Sequence, residues 1–520
     1  MAAAMHSVAV MRIEWDVPIA MDDGIVLRAD VFLPDGDERV PAILTYGPYA
    51  KGLAFQEGYP DQWKRMIEQH PDVAAGSTNA YANWEVVDPE KWVPHGYACV
   101  RVDSRGAGRS PGFLDPWSPR ETRDFAACIE WAAAQPWCTG KVGLCGISYY
   151  AMNQWTVAGL QPRGLSAMCA WEGAADFYRD FSHHGGILST FLANWYDMQV
   201  TTVQHGLGER GPRSPITGEP ACGPQTLSEQ ELAAHRSDFG NDVRAHVLDD
   251  EYHRARSPDW ERVTTPFLSA ANWGGQGLHP RGNFEAFTRA ASSQKWLEVH
   301  GLEHWTHFYT DYGRGLQKRF FDYFLKGEAN GWDREPRVHL QVRRLDGFVE
   351  RCEDGWPLAS TRWTRFYLQP DGCSLSTELS QTSARLEYDA LGDGLTFLAA
   401  PLERETEITG PLAARLFVSS STSDADLFVV FRAFAPSGEE VVFQGAIDPH
   451  TPLAQGWLRA SHRKLDEALS REWRPYHLHD DVQPLIPFKP EKVDVEIWPT
   501  SIVLPPGYCL ALTVRGKDYA

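Results

Sequence analysis

A serine at the end of a short apolar run is the residue of this chain best placed to do chemistry. In Lys141 to Gln154, KVGLCGISYYAMNQ, Val142, Leu144 and Cys145 read as a buried strand and Gly146 breaks it. The apolar, glycine-poor run after Ser148 begins a helix. Strand, tight turn, serine, helix is a nucleophile elbow, in which the bend lifts the hydroxyl clear so that it can attack a carbonyl carbon. The N–H of Tyr149, opening that helix, then points at the oxygen that becomes negative in the attack. The generic pattern has glycine where this chain has Tyr150. The competing reading is an ordinary βα turn, since turns favour glycine and serine anyway.

A nucleophilic serine needs a base, and the base needs an acceptor on its other ring nitrogen to fix the tautomer. His304 follows the last sheet-like run, Lys295 to His300, and fits the order serine then histidine. For the acceptor, Glu172 is the first candidate, because it ends the strand that follows the elbow; Asp176 is second and Glu303 third. Each could equally be a capping or solvated carboxylate. His300, His304 and His307 together suggest a metal, but one HxxxH without the protease glutamate is thin support, and no CxxC pair accompanies it. The expectation is therefore no metal and no cofactor. His183-His184 reads as packing.

The positioning elements follow. Asp23 to Pro34 alternates as an edge strand does, Val40 to Tyr46 is a buried parallel strand stopping at Gly47-Pro48-Tyr49, and Tyr97 to Val102 is another. The last is closed by DSRGAGRSPG, Asp103 to Gly112; a phosphate cradle is disfavoured there because the Gly-Lys-Ser/Thr ending is missing. Ser118-Pro119-Arg120-Glu121 caps a helix with Phe125, Cys128, Ile129 and Ala132 on one face. Strand, helix, strand with short links is the grammar of a parallel sheet, and it delivers Ser148 at a strand's carboxyl end. Lys51 to Pro94 is long for a connection, a length that usually marks a functional insertion. Sheet-like runs recur at Leu165 to Trp171, Pro266 to Trp273 and Lys295 to His300, and a helix at Leu316 to Leu325 closes this unit. From about Pro336 short alternating strands take over, VHLQVRR, RFYLQ, AARLFVSS, LFVVFRAF, VDVEIWP and YCLALTV, as in a β-sandwich.

At 520 residues the chain is too long for one core. A net charge of −20 argues against nucleic acid or an anionic membrane surface as partner, because phosphate binding needs concentrated Lys and Arg. MAAAMHSVAVMRIEWDV has no cationic leader and no long apolar core, and the nine scattered cysteines read as reduced thiols, so the expected location is cytoplasmic. A homodimer is left open.

With elbow, insertion and trailing strands in view, the chain resembles the X-prolyl dipeptidyl-peptidase family of serine hydrolases, which includes cocaine esterase and the α-amino acid ester hydrolases. The family's Gly-x-Ser-Tyr-x-Gly elbow is matched by Gly146, Ser148, Tyr149 and, in place of the last glycine, Ala151. The resemblance implies an α/β-hydrolase with an inserted helical cap and a C-terminal all-β jelly roll. It implies that Tyr49, in the Gly47-Pro48-Tyr49 loop, shares the oxyanion hole with the Tyr149 N–H, that His304 is the base, and that Asp103 to Ser110 is scaffold. The family's acid, an aspartate in a Gly-Trp-Tyr-Asp-like turn, has no counterpart in Asn272-Trp273-Gly274-Gly275.

The expected division is a hydrolase core over 1–175 and 261–332, a helical cap over 176–260 and a jelly roll over 333–520, its end open. The expected function is hydrolysis of an ester or amide of a small-molecule or short-peptide acyl substrate through an acyl-enzyme, with Ser148, His304 and Glu172 catalytic. The alternatives are an X-prolyl dipeptidyl aminopeptidase and an inactive hydrolase fold serving as a binding module.

Overall fold

The computed structural model describes residues 11–519. The first ten residues of the stretch read as lacking a leader lie outside it. Ten strands form the principal sheet: β1 (Met11–Ala20), β2 (Val26–Pro34), β3 (Val40–Gly47), β4 (Ala98–Asp103), β5 (Cys138–Ile147), β6 (Leu165–Trp171), β7 (Phe267–Asn272), β8 (Lys295–His300), β9 (Val338–Arg344) and β10 (Gly347–Glu353). Their order across the sheet is β1-β2-β4-β3-β5-β6-β7-β8-β9-β10, parallel from β4 to β9 with antiparallel edges. This is an α/β-hydrolase-like sheet. Its central strands are buried on both faces, which is why β3, β4 and β5 read as continuous apolar runs.

Helices α1 (Pro119–Ala133), α2 (Tyr149–Leu160), α3 (Pro280–Arg289) and α4 (Asp311–Phe321) pack on this sheet. Ser118 caps α1 by accepting from the Glu121 N–H at 3.2 Å. The Glu121 carboxylate turns instead to the Trp117 N–H and the Tyr149 hydroxyl, which ties α1 to the elbow. Gly327, left-handed at φ 75°, ends the turn that prolongs α4.

VHLQVRR, expected to open the C-terminal sandwich, is β9; it pairs with β8 from Leu297↔Val338 to Val299↔Leu340 and so extends the principal sheet. Its alternation marks a strand but does not say which sheet accepts it. The other C-terminal runs build an eight-stranded, mostly antiparallel sheet around their own apolar core. Its final strand, Cys509–Arg515, lies between Leu395–Ala399 and Asp426–Phe434. Between β6 and β7 the chain forms short helical segments and a small hairpin, His183–His184 with Ile187–Leu188. Among the described residues no helix is long and apolar enough to cross a membrane.

Candidate active site

Ser148 follows β5 with φ 54° and ψ −112°, strained for a residue with a side chain. Its hydroxyl does not cap α2, so it is free to face out of the turn. Ala151 and Met152 N–H groups bond to the Ser148 carbonyl, while the Tyr149 N–H belongs to the first turn, where no helical carbonyl is available. Tyr150 fits in place of the usual glycine because its neighbours lack side chains. A Cβ on Gly146 would sit 2.4 Å from the Tyr150 Cβ, and one on Gly47 2.6 Å from the Tyr150 ring. Gly173 and Ala151 likewise let α2 approach the end of β6, since a Cβ on Gly173 would lie 2.7 Å from that of Ala151.

The partner of Ser148 is His279, with Oγ and Nε2 3.0 Å apart. His304, expected there, does not meet the serine. It lies behind His279, ring against ring, with centroids 5.0 Å apart and planes 11° from parallel. Two carboxylates hold it away: His304 Nδ1 is 3.0 Å from Glu172 Oε2, and Nε2 is 2.9 Å from Glu85 Oε1. Sequence reasoning passed over both His279 and Glu85. His279 closes the glycine-rich loop after β7, just before Pro280 at the start of α3, and a histidine there could have been flagged because sheet-end loops carry chemistry. Glu85 lies in the long Lys51 to Pro94 connection at φ 63°, and its carbonyl accepts from the Ile147 N–H at 3.0 Å beside the elbow.

Glu172 sits where β6 ends, at φ 49°, fully buried. Oε1 is 3.0 Å from His300 Nε2 and accepts from Asn272 Nδ2 at 3.1 Å, so the residue at the end of β7 acts as donor to this glutamate. His300 Nδ1 reaches Glu298 at 2.7 Å. Glu298, His300, Glu172, His304 and Glu85 thus form one buried row of alternating carboxylates and imidazoles. Burial disfavours charge on His304, but Glu172 and Glu85 outweigh it and raise its pKa to about 10. His300 is raised to about 9 against the same penalty by Glu298 and Glu172. Against burial, the two imidazoles hold Glu172 well below the usual carboxylate range. Burial, with the cationic His304 adding, pushes His279 down to about 3.

The remaining expected residues are placed as follows. Tyr49 is buried, packs edge-on to Tyr149 and Tyr150, and accepts from Trp195 Nε1 at 2.9 Å, which leaves its own proton to donate. Burial keeps it a neutral phenol. Asp176 caps Phe177–Ser182 and pairs with Arg179 at 2.8 Å, with no contact to His304. Glu303 reaches Thr306 at 3.5 Å. Asp103 accepts from the Arg109 N–H within its own loop and from the Lys51 N–H beyond Tyr49. The C-terminal domain buttresses the histidine loop: the His304 N–H donates to the Ala446 carbonyl and the Ala446 N–H to that of Gly274.

Fold and site together are those of a serine hydrolase, with Ser148 on a strained turn. Residues 23–309 match the family model of the X-Pro dipeptidyl-peptidase (S15 family), and residues 330–520 match the X-Pro dipeptidyl-peptidase C-terminal non-catalytic domain. The chain belongs to that family. Cocaine esterase of Rhodococcus sp. (strain MB1 Bresler) is 28% identical over 501 residues, 82% of this chain and 81% of the relative. A CocE/NonD family hydrolase from Staphylococcus aureus superposes with a TM-score of 0.85 at 30% identity, covering 98% of this chain and 87% of its own. An aminopeptidase from a marine sediment Thaumarchaeota archaeon shares the fold, with a TM-score of 0.69 at 17% identity over 99% of this chain and 90% of its own.

Proposed function

We propose that the protein hydrolyses esters of small acyl groups through an acyl-enzyme on Ser148, with His279 as the group that takes and returns the proton. The observation that carries this is the 3.0 Å approach of His279 Nε2 to Ser148 Oγ at the strained turn. A neutral imidazole can accept the hydroxyl proton, and burial keeps His279 neutral. Glu172 favours the imidazolium formed in the transition state, while burial and the cationic His304 oppose it. Glu172 and His304 act through the buried row, as positioning residues, and so do the work the acid does in a triad.

Tyr49 Oη and the Tyr149 N–H serve as oxyanion donors, and water releases the acyl group. In this reading residues 176–260 form a helical cap over the site, the C-terminal sheet is a jelly roll, and the protein works in the cytoplasm on a freely diffusing substrate, as a monomer or homodimer.

One observation favours a second reading, an aminopeptidase releasing X-Pro dipeptides: Glu85 Oε2 is buried without a partner beside the site, where a substrate ammonium would find an acceptor. The test is labelling by a fluorophosphonate, expected in the native protein and absent in Ser148→Ala. Turnover of a short-chain nitrophenyl ester against an X-Pro anilide then separates the two substrate classes. A native protein that takes no label removes the acyl-enzyme.

A further inference from the structure

We propose that Glu172, His279 and His304 form a binding site for a borderline-soft divalent cation of the Zn2+ type, and that its occupation switches Ser148 off. Two imidazoles and one carboxylate are the donor set of a zinc site with three protein ligands. One donor atom from each lies within 4.8 Å of the others, and all three residues are buried. Bonds of about 2.0–2.2 Å in a tetrahedral arrangement separate donors by roughly 3.4 Å, so the ligands need close by only about an ångström. The His304 Nδ1 to Glu172 Oε2 edge, at 3.0 Å, is already that short.

The second observation is independent of the cluster. His279 Nδ1 is buried, on a residue 1% exposed, and has no hydrogen-bond partner. A buried ring nitrogen without a partner, on one of the three residues, is a group that a bound cation would satisfy.

Outer partners of the kind metal ligands use are also in place. Glu85 accepts from His304 Nε2, a cation would displace the proton that His304 Nδ1 shares with Glu172, and His300 and Asn272 hold the other oxygen of Glu172. Such partners fix tautomer and orientation before the ion arrives.

The same geometry makes the ion an inhibitor. If Nδ1 of His279 binds it, Nε2 keeps a proton and cannot take one from Ser148; if Nε2 binds it, the serine loses its partner. No bond is made or broken in substrate, and the ion acts only by occupying the lone pair that the hydroxyl proton needs. The binding claim stands on the donors alone, whereas the inhibitory claim rests on the reading of His279 as base.

Binding is measured by competition of Zn2+ against a chromogenic chelator, using the full chain as Ser148→Ala. The exposed Cys352, 3.8 Å from His339 Nδ1, is also changed to Ser to remove a competing thiol. One equivalent should bind, with affinity at least roughly tenfold weaker in His279→Gln and in Glu172→Gln. In the Cys352→Ser protein with Ser148 intact, ester turnover should fall over the same Zn2+ range and return with EDTA. Unchanged affinity in a folded His279→Gln protein overturns the site, and so does the absence of any saturable binding. Should Glu172→Gln fail to fold, His279→Gln alone decides. Binding without inhibition overturns the switch and keeps the site, while a native protein that binds Zn2+ but takes no fluorophosphonate overturns the catalytic reading only.

Discussion

The imidazoles of His279 and His304 lie nearly parallel, 5.0 Å between centroids, and only the first touches Ser148. Stacking of a neutral ring on a charged one orders the two roles: His304, held between Glu172 and Glu85, has no free lone pair, whereas His279 has one facing the hydroxyl. His279→Gln should therefore lower kcat by about 10²–10⁴-fold, the usual contribution of a proton-transfer group. His304→Gln should cost less, about tenfold, because it removes only the ring that packs on and positions His279. Steady-state rates on a nitrophenyl ester check this, and the reverse ranking would make His304 the base after a side-chain swing.

Glu172 joins two imidazoles that are both protonated, so its loss leaves two buried cations with one carboxylate each. Glu172→Gln should lower stability by about 3–5 kcal/mol, the usual effect of breaking a buried pair. It should also lower kcat by about tenfold, since it acts on His279 only from behind, as His304 does. Urea unfolding beside steady-state kinetics measures both. Near-normal turnover in the folded variant would show that the row contributes packing and not charge.

Tyr49 accepts from Trp195 through the same oxygen that, in the proposed mechanism, donates to the oxyanion. Tyr49→Phe should lower kcat by about 10²–10³-fold, with KM little changed, because the donor acts on charge present only in the transition state. The orphaned Trp195 N–H should cost about 1–3 kcal/mol of stability as well. An unaltered kcat alongside that stability loss would make Tyr49 a packing residue.

Much of this was legible in the chain because it is local. β5, Ser148 and α2 are fixed by a strand period, a glycine and an apolar helix within fourteen residues, and Glu172 was singled out because a sheet strand ends there. His279 was missed for the opposite reason. Its contact with Ser148 spans 131 positions and depends on how the β7 loop folds over the carboxyl ends of the strands, which no periodicity records. The same holds for Glu85, whose role arises from a left-handed backbone inside an irregular connection. Tyr150 illustrates a subtler limit: it departs from the elbow pattern, and the compensation sits about a hundred residues away in Gly47.

A second group of imidazoles joins the inserted segment to the C-terminal domain. His183 stacks on Tyr178, His253 and His479 crowd the same ring, and His462 Nδ1 lies 3.1 Å from His479 Nδ1. Burial pushes His253 down to about 4, and neither of its nitrogens has a hydrogen-bond partner. The sign follows from proton counting. The folded pKa is depressed, so between about 6.5 and 4 the unfolded chain binds the extra proton, and stability is full above 6.5 and falls as pH drops. Replacing the ring by phenyl removes this one proton from the balance and leaves every other titrating group in common. His253→Phe should therefore gain about 2 kcal/mol on the native protein between pH 7.5 and pH 5, whatever its offset at neutral pH. Urea unfolding of both proteins at the two pH values measures it. A constant difference would mean that His253 takes up its proton in the folded state too, through the Asp250 carboxylate 3.4 Å away.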